Sequence, residues 1–400
     1  MKNLSIAFCL LFTTVSIWSQ SQLTIFQVDH LDFMLGLSTS KDSTARFGYI
    51  DPTGKFIIEP QYSHGSDFFE NRANIVKDSV CGYIDKNGQE RLFPQFDQTY
   101  WYNNELGLAL KDGKWGYINP EGEIVIPLIY QSAGFFNEGY AAVNKDGTWL
   151  LIDALGEPVF DNNVILTYNP VFESALIFKG FQDSLPSGTK PSKLGLIHID
   201  GTVLIQPEYT GLAGYFSQGL CWVSKNRKQG FVNNKGIEVI PLEYDELKWD
   251  FTEGLVAAKM GGKWGFIDTA NTIVIPFEYE GATKFSENLA PVQKEGKIGF
   301  INRKNEVVIP FSFDPDWRYG FQEGLSVVKI DGKFGFINKQ GNIVVEPVYK
   351  SALNFKGGVA YVEFEDGKNG FINKTGALIA PPFQQCWNFR NGLARVVVAD

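Results

Sequence analysis

Lys263-Trp264-Gly265-Phe266-Ile267-Asp268, followed by Ile273-Val274-Ile275-Pro276 and then Tyr279, is the stretch that decides the fold. Its glycine recurs along the chain at Gly48, Gly82, Gly116, Gly195, Gly230, Gly265, Gly299, Gly335 and Gly370. Successive gaps are 34, 34, 79, 35, 35, 34, 36 and 35 residues. The gap of 79 hides a degenerate copy, Trp149-Leu150-Leu151-Ile152-Asp153, with Leu150 in the glycine's place. The chain therefore holds ten copies of one short unit, and a fixed period of this length marks a tandem-repeat architecture.

Each copy reads as three short strands. An apolar run such as Leu255-Val256-Ala257-Ala258 comes first. A tight turn follows, as at Asp112-Gly113 or Asp331-Gly332, the strongest short hairpin signal. The second strand carries the motif. In Trp115-Gly116-Tyr117-Ile118 the period of two puts both aromatics on one face and Gly and Ile on the other. A glycine inside a strand marks the close approach of another group, and an aromatic ring from a neighbouring unit is the expected visitor. A turn of the form Asp/Asn-x-x-Gly leads on, as in Asn338 to Gly341. The third strand is the Ile-Val-Ile run, ended by Pro127, Pro241, Pro276 or Pro310, because proline donates nothing to a ladder. Apolar residues lie on both faces of these strands, so each unit must be covered on both sides by its neighbours. Leu35-Gly36-Leu37 reads as a first strand ahead of the first motif, and Gly392 to Val398 as a last strand with no motif after it.

Composition supports strands and narrows partners. Aromatics reach 14%, with 33 Phe and 16 Tyr, which favours β structure. The formal net charge of −9 argues against nucleic acid or an anionic membrane surface as partner. Lys2, the apolar run from Leu4 to Ile17 and the small residue Ser19 read as a signal peptide over residues 1–19, with a lead-in over 20–34 and the repeat array over 35–400. The run is too short to span a bilayer comfortably, so no membrane insertion is expected after cleavage. Export to the periplasm, cell surface or extracellular space follows. Cys9 falls inside the apolar run, and Cys81, Cys221 and Cys386 read as buried small apolar residues.

The combination Lys-Trp-Gly-Phe-Ile-Asp, then Gly, then Val-Ile-Pro and Tyr, resembles the WG repeat, also called the KWG repeat, of bacteria. The resemblance covers roughly residues 35 to 400. The namesake Trp stands only at Trp115, Trp264 and, in the degenerate copy, Trp149; elsewhere the place is held by Phe47, Cys81, Leu194, Gln229, Ile298, Phe334 or Asn369. The place asks for bulk rather than indole chemistry. The resemblance implies a β-rich module used for binding or scaffolding, and brings no catalytic residues with it.

Polar residues mostly recur with the repeat, which is the mark of structural work. The Asp/Asn series (Asp51, Asp85, Asn119, Asp153, Asp200, Asn233, Asp268, Asn302, Asn338, Asn373) fits turns better than metal ligation, because Asn and Asp interchange. Glu138, Glu173, Glu253, Glu287 and Glu323 recur before the first strand, either as an acid–base set or as turn residues on one rim. His30, His64 and His198 form no nucleophile or metal pattern. No catalytic residue, metal site or cofactor is expected. Trp101, Trp249, Trp317 and Trp387 stand five to seven residues before the Gly that opens the next first strand. They are the candidate ligand-contact aromatics, with core filling against Phe251, Phe321 and Phe389 as the competing reading. The unit across 154–194 is 45 residues long from Leu150 to Gly195, with Ser184 to Ser192 as a loop.

The expected fold is an all-β tandem array of about ten three-stranded units in an open superhelix or solenoid, with a closed, propeller-like toroid as the alternative. The expected role is non-catalytic binding of a protein, peptide or glycan. The alternatives are a purely structural envelope or extracellular component and, more distantly, a glycan-active hydrolase.

Overall fold

One regular unit shows how the repeat folds. Leu255–Met260 and Lys263–Asp268 form a hairpin with Leu255 opposite Asp268 and Met260 opposite Lys263. Ile273–Tyr279 pairs on the far side of the motif strand. A two-residue strand, Glu246–Leu247, pairs with Lys259 and Ala258 on the near side. The sheet therefore runs hook, first, second, third, all antiparallel. The computed structural model describes residues 45–398, apart from 70, 102–104, 161–163, 167–174, 182–192 and 317; of Trp101, Val164–Leu166 and Ala175–Phe181 only the backbone is described. Among these residues there are ten such sheets and no helix; seven have four strands and three have three. The signal peptide, the lead-in, Leu35 to Leu37, Cys9, His30, Glu173, the loop from Ser184 to Ser192, Trp317 and the side chain of Trp101 lie outside the described residues.

The all-β tandem array stands as the sequence predicts, and three details of the unit do not. The hook strand was not foreseen. Two residues are too few to show a period, yet they supply each regular sheet with its fourth edge. The proline does not end the third strand, which continues through Pro276 to Tyr279. Trp264 pairs with Tyr279 and Phe266 with Ile275, so two steps on the motif strand span four on its partner. The proline rides in this bulge on an edge strand, where no ladder hydrogen bond is required of its nitrogen. Beneath the bulge sits the core glycine. A Cβ on Gly265 would lie 2.4 Å from the Ile275 carbonyl oxygen and 2.8 Å from that of Pro276. Gly116, Gly195, Gly230 and Gly335 meet the same backbone of their own third strands. The visitor is thus the bulged strand of the same unit, not a neighbour's ring. Only at Gly299 and Gly370 does a phenylalanine ring approach, and at Gly299 the Ile309 carbonyl comes closer still.

Stacking between units is as expected. Trp264 and Phe266 pack into one seam with Phe285 and Val292 of the next sheet, whereas Ile267 packs into the opposite seam with Phe231 and Ile240 of the sheet before. The motif place wants bulk: Phe47, Trp115, Trp264, Ile298 and Phe334 are all buried there.

The terminal half-units join. Ala394–Val398 pairs along its length with Arg46–Ile50, from Arg46 opposite Val398 to Ile50 opposite Ala394. One sheet is thus built as Gln385–Cys386, Ala394–Val398, Arg46–Ile50 and Phe56–Tyr62. The place beside Arg46–Ile50 that Leu35 to Leu37 was expected to take is filled by the C-terminal strand. This shared sheet has a neighbour on each face. Ile50 and Val396 pack with Phe371 and Phe383 of the last unit, and Phe47, Tyr49 and Val397 pack with Phe68, Ile75 and Ile84 of the unit that follows Tyr62. Among the described residues no sheet rolls into a barrel. Of the two geometries left by the sequence, the terminal pairing selects the closed toroid over the open superhelix. A superhelix would leave Arg46–Ile50 and Ala394–Val398 as two apolar edges, and pairing them satisfies both.

Candidate functional site

The recurring polar residues are used by the scaffold. In each regular unit the Asp or Asn after the motif accepts backbone N–H groups two and four residues on: Asp268 Oδ1 from Ala270 at 2.9 Å and Thr272 at 2.8 Å, Asn373 Oδ1 from Thr375 and Ala377 at 3.0 Å. These are Asx turns, and they explain why Asp and Asn interchange. Asp200 does not belong to the series. The turn's first place is held by His198, whose carbonyl accepts from Gly201 and whose N–H donates to Thr202. Asp200, two residues on, has its carboxyl lowered to about 2 by hydrogen bonds from Thr202 and His198. His64 stacks on Phe47 at 6.4 Å between centroids.

The glutamates form a ladder around part of the ring, not an acid–base pair. Glu253, Glu287 and Glu323 sit in left-handed turns, with φ of 52°, 54° and 55°. Each carboxylate accepts from the same turn of the next unit: Glu253 from the Asn288 N–H, Glu287 from Gly324, Glu323 from Gly357 and Gly358. Lys339 and Lys374 salt-bridge to Glu287 at 2.9 Å and Glu323 at 3.2 Å. Burial works against the Glu323 charge. The Gly358 N–H, Lys374 and the Gly357 N–H outweigh it and hold the carboxyl below the usual range. Glu138 occupies the same kind of left-handed turn, with φ of 52°. Cys81, Cys221 and Cys386 are free thiols and buried. Among the described residues no group of three His, Cys, Asp or Glu side chains could hold a metal ion, and no helix is long and apolar enough to cross a membrane.

The candidate tryptophans do not form one patch. Trp387 follows the hook Gln385–Cys386 of the closure sheet. It stacks on Phe47 at 6.0 Å, and the buried Arg395 guanidinium lies 3.8 Å above its ring. That is core chemistry. The same guanidinium donates to the Gly65 carbonyl and lies 3.7 Å from Asp67, so this cluster straps the closure sheet to its neighbour. Trp249 follows the hook Glu246–Leu247, several units away and one step further from its hook than Trp387. It is half-buried and packs on Trp222, with centroids 5.7 Å apart and planes at 48°. Trp101 lies on the strand Gln98–Trp101.

Two features escaped the sequence reading. The first is Trp222 itself, on the first strand Leu220–Lys225. The signal was a departure from the repeat, since Ala257 holds the corresponding place in the next unit. The second is the third strand's opening pair. Ile124 and Val125, Ile273 and Val274, Val307 and Val308, and Ile343 and Val344 are all exposed, between 36% and 55%. The expectation that third strands are covered on both faces fails at these residues. The seven seven-residue third strands contain no Lys or Arg, and carry Glu59, Glu208, Glu238, Glu243, Glu278 and Glu346.

A family model described as the WG containing repeat matches nine times, at residues 47–81, 82–115, 115–149, 195–228, 230–264, 264–297, 298–334, 334–368 and 370–400. The chain belongs to the WG-repeat family. The stretch left between the third and fourth matches holds the irregular long unit, whose hairpin is Ala175–Phe181 with Leu194–His198. No curated protein matches the chain. Among solved structures, a eukaryotic initiation factor is similar at 11% identity and a TM-score of 0.46, covering 80% of this chain and 98% of its own. BamB from Moraxella catarrhalis is similar at 10% identity and a TM-score of 0.29, covering 90% and 97%. PorZ, whose structure is titled as a surface component of the type-IX secretion system of Porphyromonas gingivalis, is similar at 12% identity and a TM-score of 0.25, covering 78% and 51%. Likenesses this low carry no argument about this chain.

Within the WG-repeat scaffold the division of labour is clear. Glycine, Asx and glutamate positions build turns and seams. What is left over, and faces solvent, is the apolar and acidic third strands and the half-exposed indoles of Trp222 and Trp249.

Proposed function

We propose that this WG-repeat chain is an exported, non-catalytic binding or scaffold module for a protein, peptide or glycan, working in the periplasm, at the cell surface or outside the cell. The observation that carries the reading is the repeated exposure of Ile273 with Val274, Val307 with Val308, and Ile343 with Val344 at the same strand positions of successive sheets. Exposed apolar surface that recurs in this way costs solubility, and contiguous patches of it mark interaction sites. The acidic residues and missing cations of the same strands favour a partner with basic and apolar groups.

A purely structural component is the second reading, favoured by the buried Arg395 guanidinium lying over the half-buried Trp387 ring. The two separate on one experiment. The mature chain and a variant with Ile273, Val274, Val307 and Val308 changed to Ser are used to capture partners from the producing cell's envelope fraction. A partner held by the native surface and lost by the variant supports binding. Identical capture by both, or none by either, contradicts it.

A further inference from the structure

We infer that the seam between the sheets Gly211–Tyr244 and Glu246–Tyr279 carries a subsite for a β-linked, gluco-configured glycan, with Trp249 and Trp222 as its stacking surface and Asp250 and Gln229 as its polar groups. The inference deepens the binding reading above, on which it rests, and uses residues separate from the third-strand pairs.

The seam departs from the repeat at several places at once. Trp222 pairs across its hairpin with Phe231; Ala142, Ala257, Pro291 and Val327 hold the corresponding place in four other units. Gln229 stands at the motif place that Trp264 and Phe334 fill elsewhere. Its amide oxygen is fixed from two sides, by the Trp222 Nε1–H at 3.2 Å and the Leu247 N–H at 2.6 Å. That leaves the amide nitrogen of Gln229 as a donor with no partner among the described residues. Across the seam the Tyr215 hydroxyl donates to Asp250 Oδ1 at 2.8 Å, which fixes that carboxylate and leaves Oδ2 as an acceptor. Asp250 is the chain neighbour of Trp249. The site thus holds two half-exposed indoles, one pinned acceptor and one pinned donor.

This is the chemistry a sugar asks for. A pyranose with equatorial substituents presents a flat C–H face, which buries on an indole, and a rim of hydroxyls that need both acceptors and donors. Pre-oriented polar groups lower the cost of ordering on binding. A polyproline helix asks for something else, a slot between aromatic walls. The two indole centroids here are 5.7 Å apart, with the ring planes at 48°. They touch, and so make a continuous surface with no slot.

The test uses the full mature chain, with cellohexaose and chitohexaose as glycan probes and a proline-rich decapeptide as the competing class, followed by titration calorimetry. The expected result is binding of at least one hexasaccharide by the native chain, weakened about tenfold or more by Trp249→Ala and by Asp250→Asn. Asp250→Asn alters one half-exposed carboxylate, so it reports on the site even if Trp249→Ala lowers stability. The subsite is overturned if neither hexasaccharide binds, if both variants bind as tightly as the native chain, or if the decapeptide binds in the sugar's place. Failure here, with envelope capture still lost in the Ile273, Val274, Val307 and Val308 variant, removes the glycan site and leaves the binding module standing.

Discussion

Changing Gly265 to Ala should cost far more than changing Gly370 to Ala, although both glycines hold the same place in the repeat. At Gly265 the new methyl would lie 2.4 Å from the Ile275 oxygen, with the Pro276 oxygen and carbon at 2.8 and 2.9 Å. All three are backbone atoms of a paired strand, so no side chain can rotate away. The strand would have to retreat by at least 0.6 Å to reach the 3.0 Å below which such contacts are not found. That movement pulls on the pairs Trp264 with Tyr279 and Phe266 with Ile275, and on the packing of Ile275 in the seam. Overpacking of well-packed interiors costs about 1–3 kcal/mol, and a rigid backbone neighbour puts Gly265→Ala at or above about 3 kcal/mol. At Gly370 the nearest atom is the edge of the Phe364 ring, at 3.3 Å, and that half-buried ring can yield. The cost there should stay below about 1 kcal/mol. Denaturant unfolding of both variants, with native controls, measures the difference. Equal midpoints would refute the idea that the motif glycine exists to admit the bulged third strand.

Arg395→Met should destabilise the ring by about 3–5 kcal/mol, because it leaves Asp67 buried without its main counter-charge. Adding Asp67→Asn to that variant should recover part of the loss, and a denaturant series on the single and double variants checks it. Glu323→Gln should lower stability near neutral pH but not in acid. The Glu323 carboxyl is held below its ordinary value of 4.5, so its contribution is complete above that pH and disappears as pH falls through the lowered folded value. Melting curves of both proteins across pH 2–7 should therefore converge at the acid end, since about pH 2 lies below the range of most carboxylates. Cys81 and Cys386, whose thiols are pushed up by burial, should resist a thiol reagent until the chain is unfolded. Labelling of either in the folded protein would contradict their placement in the core.

The period of the repeat was legible because the motif recurs in register, and so was the two-faced burial of the second strand. Trp264 and Phe266 enter one seam and Ile267 the other, as strand alternation dictates. The Asx turns were legible too, since Asn and Asp interchange there. Other features were not, each for a physical reason. Glu246–Leu247 is too short to show any periodicity. Pro276 reads as a stop, and only the bulge opposite Gly265 lets the strand pass through it. The Asp200 assignment failed because counting along an irregular unit does not reveal which residue starts the turn. Closure could not be read, because Arg46 and Val398 lie at opposite ends of the chain and nothing local ties them. At the candidate site, Trp249 was visible as a loop aromatic. Its companions Trp222, Gln229 and Asp250 lie on different strands and loops and come together only when two sheets meet.

The central claim is that ten WG-repeat sheets close into a ring through the pairing of Arg46–Ile50 with Ala394–Val398. The most direct measurement places cysteines at Arg46 and Val398, which are paired across the two strands, the first half-buried and the second exposed. Under mild oxidation at low protein concentration, the closed ring predicts an intramolecular disulfide in the monomer, formed without loss of native structure. If the pair stays reduced, or links only between molecules, the chain ends are apart and the array is open.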